Sequence, residues 1–76
     1  MRCKMRLITV SETFDGGGSK VTSLEMSPVT SGSAENEKFF KYTPGGKLSL
    51  QVVNPDAVTG LKVGGFYYVD VSEADE

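Results

Sequence analysis

The stretch Asp15-Gly16-Gly17-Gly18-Ser19 lies between two runs that alternate apolar and polar residues, and it constrains the fold more than any other feature. An Asp-Gly step followed by further glycine supplies the positive φ angles that a tight hairpin needs. The runs from about Arg2 to Phe14 and from about Lys20 to Val29 are therefore expected to pair antiparallel. Within the first run the apolar phase changes: Cys3, Met5 and Leu7 are odd, whereas Ile8, Val10 and Phe14 are even. A period of two does not survive such a change without a bulge, or without a curved strand that passes its sides between two cores. Val21 against Leu24 and Met26 repeats the shift in the second run. Two long, bent, paired strands are what a small closed barrel or a strongly coiled sheet requires.

Downstream, Thr30 to Ala34 reads as a polar loop and Ser33 to Tyr42 as a short helix. Ser31 or Ser33 can cap it, Glu35 and Glu37 stand in the first turn, and Lys41 stands near the end, as the helix dipole favours. Asn36 replaces the acid of a capping box. Thr43-Pro44 stops the helix and Gly45-Gly46 turns the chain. Leu48, Leu50 and Val52 alternate as a third strand, broken by Asn54-Pro55-Asp56. After a connector from Ala57 to Lys62 and a Gly64-Gly65 turn, Phe66 to Val71 forms the last strand. Tyr67, Val69 and Val71 share one face of it, and Phe66, Tyr68 and Asp70 share the other. No repeat or linker divides the chain. The expected fold is mostly β in one domain over residues 1–76: two hairpin-like pairs forming a small, partly open antiparallel β-barrel or coiled, OB-like sheet, with one short α-helix and an acidic tail over about 72–76.

Composition bears on function mainly by what is missing. With 76 residues the core is thin, since a chain of this size buries only about 60% of its unfolded surface. There is no histidine, so Ser-His-Asp and Cys-His catalysis and His-ligated metals are excluded. The single Cys3 forms no internal disulfide and has no base to activate it; a structural thiol is expected. Glu35 and Glu37 diverge by about 200° on a helix and do not act as a pair. No catalytic residue, metal or cofactor is expected, and a binding module is favoured over an enzyme. The apolar stretch Leu7 to Val10 is too short for a signal peptide and nothing approaches a membrane span, so a cytoplasmic site is expected.

The net charge of −2 hides an asymmetry. Four of ten acidic residues (Asp70, Glu73, Asp75 and Glu76) lie in the last seven positions, leaving eight basic against six acidic before them. The tail either keeps the domain soluble or covers a basic groove. Lys38-Phe39-Phe40-Lys41-Tyr42 interleaves cations with rings, the combination that pairs phosphate neutralisation with base stacking. Phe39 and Phe40 point about 100° apart on a helix, so one can enter the core. Phe40 and Tyr67 are expected to pack inside, leaving Phe39, Tyr42 and Tyr68 for recognition. Gly45-Gly46-Lys47 superficially resembles a Walker loop but lacks its first glycine and its Ser/Thr. It is either a plain turn or a pair of free amides beside Lys47 that face an anion. The stripe Arg2, Lys4 and Arg6 occupies one face of the first strand, where it either protects an exposed sheet edge or lines an anion-binding surface.

At Val29-Thr-Ser-Gly, Glu35-Asn36, Phe39-Phe40, Thr43-Pro44, Gly46, Leu48, Leu50, Asn54, Ala57 and Gly65…Tyr67-Tyr68-Val69-Asp70, the C-terminal two-thirds of the chain is similar to a family of small proteins encoded by tailed bacteriophages and prophages. The family supplies no residue roles. The resemblance implies a phage accessory protein in the host bacterial cytoplasm that binds DNA or counters host defence, some such proteins sequestering cyclic nucleotide signals. The expectation is a non-enzymatic protein that binds a nucleotide-type anion. Lys38, Lys41, Gly45, Gly46 and Lys47 would hold phosphate, and Phe39, Tyr42 or Tyr68 would stack on a base. A domain this small rarely encloses a ligand, so a homo-oligomer with a shared pocket is expected. The alternatives are an OB-like protein binding single-stranded DNA along a barrel face, or a protein-only interaction module that blocks a host factor through the aromatic patch.

Overall fold

The computed structural model describes residues 1–76. The elements follow in the order β1 (Arg2–Phe14), β2 (Lys20–Pro28), α1 (Ala34–Tyr42), β3 (Leu48–Val52), a short 3-10 helix (Pro55–Val58) and β4 (Phe66–Asp70). All four strands join one antiparallel sheet in the order β3-β2-β1-β4. The hairpin turn closes as its residues dictate. Asp15 Oδ1 accepts from the amides of Gly17 and Ser19 at 2.8 and 2.9 Å, and Gly18 takes φ +86°.

The phase change in β1 is a bulge. Leu7 pairs with Met26 and Thr9 with Glu25, so Ile8 is the unpaired extra residue. It leaves Cys3, Met5 and Leu7 on the same face as Val10, opposite Leu24, beyond it. β2 keeps an unbroken register, and the shift expected at Val21 is absent: Thr22 holds the core-face position and Val21 points to the other side.

The sheet is open and does not close into a barrel. The two hairpin-like pairs reduce to one, because β3 pairs with β2 and β4 with β1, at opposite edges of the sheet. With strands about 4.8 Å apart, roughly 14 Å separates β3 from β4 and closure is not available to them. The segment that joins them crosses the apolar face instead and packs Val58 and Leu61 on it. The core beneath is Cys3, Met5, Leu7, Leu24 and Met26, flanked by Leu48, Val52, Tyr67 and Val69. Only Leu7 is fully buried among the large side chains. A radius of gyration of 14.3 Å, against about 11 Å expected for a compact chain of this length, records how far the sheet stays spread.

This order also revises the role of Arg2, Lys4 and Arg6. β1 is an interior strand, bonded to β4 over Arg2–Arg6 and to β2 over Met5–Phe14, so the stripe does not protect a sheet edge.

Candidate ligand-binding face

Antiparallel register fixes what stands beside the stripe. Arg2 lies opposite Asp70, Lys4 opposite Tyr68 and Arg6 opposite Phe66, all on the face away from the core. The cations cover the rings: Arg2 Cζ is 4.8 Å from the centroid of Tyr68, while Lys4 Nζ and Arg6 Cζ are 5.5 and 5.4 Å from that of Phe66. Phe66 and Tyr68 nevertheless remain 51% and 49% exposed. β1 and β4 thus present alternating cations and half-open rings along one sheet face.

Two of the three cations are engaged. Arg2 grips Asp70 through Nε and Nη2 at 2.7 and 3.1 Å. Lys4 Nζ donates to Glu35 Oε2 at 2.5 Å, and Tyr68 Oη donates to Glu35 Oε1 at 2.8 Å. Arg6 has no carboxylate partner; its Nε donates to Gly64 O at 3.2 Å. Beside Arg6 opens a cleft of about 230 Å³, walled by Phe66 on one side and by the chain leaving β2 on the other.

Glu35 ties α1 to this face, and that decides the fate of its rings. Phe39, one turn beyond Glu35, comes down on Tyr68 with centroids 6.0 Å apart. Phe40, expected in the core, is turned about 100° away and is 39% exposed. It joins Lys38, Lys41 and Tyr42 along a shallow groove on the outer side of the helix. Tyr67 packs against the core as expected.

The expected site therefore does not assemble in one place. Phe39 and Tyr68 belong to the β1–β4 face, and Lys38, Lys41 and Tyr42 to the outer helix groove. Gly45, Gly46 and Lys47 lead into β3 at the far edge, where Lys47 pairs with Glu25 at 3.0 Å and Gly46 adopts φ +135°. Sequence reasoning missed Phe66, Glu35 and Asn36 as parts of a site. Asn36 is buried; Ser33 Oγ caps its amide at 3.0 Å, and its Nδ2 donates to Ser31 O at 2.9 Å, fixing the loop that walls the Arg6 cleft. The Ser33-x-x-Asn36 spacing carried that signal.

Hydrogen bonds from Lys4 and then Tyr68 hold the Glu35 carboxyl below its ordinary value near 4.5. Arg2 likewise holds Asp70 below its ordinary value near 3.8, and the bond to Glu35 raises the Tyr68 hydroxyl above 10.0. A carboxyl with a lower pKa when folded adds stability that is complete above its unfolded value and lost as pH falls through the folded one. The melting temperature is thus expected to drop below about pH 4.5, and Glu35→Gln to flatten part of that drop. A variant whose acid transition matches the wild type would show that Glu35 is not held this way.

No helix is long and apolar enough to cross a membrane. Compared with protein-family models, curated proteins and solved structures, the chain matches none.

Proposed function

We propose that this chain is a non-enzymatic binding module that lays a single-stranded oligonucleotide across the β1–β4 face. The observation that carries the reading is the ladder Arg2, Tyr68, Lys4, Phe66, Arg6, in which cations and half-exposed rings alternate on an open sheet. Four-stranded sheets that bind single strands stack bases on exposed aromatics of the sheet face, with cations alongside for the phosphates. The engaged cations retain donors: a guanidinium has five N–H groups and Arg2 spends two on Asp70, while an ammonium has three and Lys4 spends one on Glu35.

Outside the part over Lys4 and Tyr68 that Glu35 and Phe39 of α1 cover, the face is open, which favours a strand over an enclosed cyclic nucleotide; enclosure would require a second copy of the chain. Combined with the resemblance to small phage proteins, the proposal extends to an accessory protein working in the cytoplasm of a bacterial host.

The test is fluorescence anisotropy of a short labelled DNA strand across a salt series, with cyclic di- and trinucleotides titrated in parallel. Because only one to three phosphates meet cations here, log affinity should fall with log salt at a slope of roughly −0.7 to −2. Saturable binding of cyclic nucleotides without strand binding, or no binding of either at low salt, would overturn the proposal.

A further inference from the structure

The single-strand reading uses Arg6 as the last cation of the ladder but leaves unexplained the cleft beside it, which differs from the rest of the face. Arg6 closes the cation stripe. Its neighbours in the stripe each hold a carboxylate, whereas Arg6 holds none. The one bond it makes, Nε to Gly64 O, orients the guanidinium and leaves the four N–H groups of its terminal nitrogens free. Across the cleft stand Ser27, paired with Arg6 in the β1–β2 ladder, and then Thr30 and Ser31. None of these three hydroxyls makes a hydrogen bond within the protein, so four N–H and three O–H donors border about 230 Å³ with no acceptor assigned to them.

The wall that carries these hydroxyls is fixed before any ligand arrives. Val29 is buried and its amide donates to Lys4 O at 3.1 Å, and buried Asn36 holds Ser31 O at 2.9 Å. Gly64 N donates to Leu7 O at 2.7 Å and Leu7 N to Gly65 O at 2.9 Å, so the turn before β4 is bonded to β1 immediately after Arg6. A strand running along the face from Arg2 reaches the cleft at Arg6, the last cation of the stripe.

We propose that the Arg6 cleft is a subsite for a phosphate monoester, and that the module selects single strands whose end carries a terminal phosphate. This rests on the single-strand reading and sharpens it. A monoester carries a charge of about −1.5 to −2 near neutrality and three terminal oxygens, which match a free guanidinium fork with hydroxyls beside it. An internal diester offers one charge and two free oxygens, so it engages fewer of these donors.

The experiment compares one DNA sequence bearing a 5′-phosphate, a 3′-phosphate or neither, against the wild type and Arg6→Gln. One phosphorylated end should bind about 10-fold more tightly than the bare strand, as a charge-assisted contact of this kind implies. Arg6→Gln should abolish that preference, so that phosphorylated and bare strands bind the variant equally, whatever the bare strand itself loses with this cation of the ladder. Below pH ~6 the preference should shrink, since the monoester then loses its second charge. Equal affinity for all three strands would overturn the subsite and leave the single-strand reading standing. If no strand binds, both fall. Thermal melts of Arg6→Gln, whose side chain is exposed, separate loss of the subsite from loss of fold.

Discussion

Leu7→Ala is expected to lower stability by about 3 kcal/mol, in the lower half of the range for a buried leucine. Leu7 is the one large side chain with no exposed surface, and it sits where the sheet is covered best. Met5 and Cys3 lie along the same face of β1, Met26 pairs with it from β2, and Val58 and Leu61 cross above. A domain of this length is stable by only about 4 to 11 kcal/mol, so one truncation removes a large part of the total. The melting temperature should fall by roughly 12 to 24 °C, with the urea m value unchanged. Leu50→Ala is the control: Leu50 lies on the same face but is 47% exposed and is not among the side chains packed on the core. It should cost much less than Leu7→Ala. If the two variants melt together, the core is not centred on Leu7.

That centre was legible in the sequence, though not its cover. Odd-numbered Cys3, Met5 and Leu7 and even-numbered Leu24 and Met26 announce two strand faces, and the Asp15-Gly-Gly-Gly turn brings them together. The shift from Leu7 to Ile8 marked the bulge to the residue. What alternation does not encode is which strand pairs with which across a long connection. β3 and β4 each carry a good strand pattern, and a pattern is indifferent to whether its partner is the next strand or an earlier one. The 13 residues from Val53 to Gly65 are long enough to cross a sheet face, and their apolar Val58 and Leu61 gain more from covering Leu7 and Met26 than from leaving them wet.

The site was legible by the same rule and obscured by the same gap. Alternation put Arg2, Lys4 and Arg6 on one face of their strand and Phe66 and Tyr68 on one face of theirs. Only the pairing of β1 with β4, whose partners stand 60 to 68 residues apart in sequence, sets cations over rings. The helix forms where the sequence places it, and only its inward-facing ring departs, for a related reason. Phe39 and Phe40 are equivalent in apolar character, and the choice between them is made by Glu35, which anchors the helix through Lys4 and Tyr68. The adjacency of Lys38, Lys41 and the Gly45-Gly46-Lys47 turn in sequence gave an apparent cluster that the end of the helix and the start of β3 pull apart.

If bases stack on the β1–β4 face, Phe66→Ala and Tyr68→Ala should each weaken strand binding by roughly 5- to 150-fold, the loss that removal of one stacking ring produces. The two rings are not equivalent controls. Phe66 makes no hydrogen bond, so its truncation removes ring surface and the platform beneath Lys4 and Arg6. Tyr68 also donates to Glu35 and meets Phe39, so its truncation loosens the helix as well. Tyr68→Phe divides these roles: it keeps the ring under Arg2 and deletes only the hydroxyl. Strand affinity near wild type in Tyr68→Phe, with a large loss in Tyr68→Ala, assigns the effect to stacking. Equal losses in both would mean that the Glu35 anchor, not the ring, supports binding. Folded alanine variants with unchanged affinity would reduce the rings to packing for their cations. Because neither ring belongs to the buried core, Phe66→Ala should melt close to wild type, and a fall in affinity there is a change in the face itself.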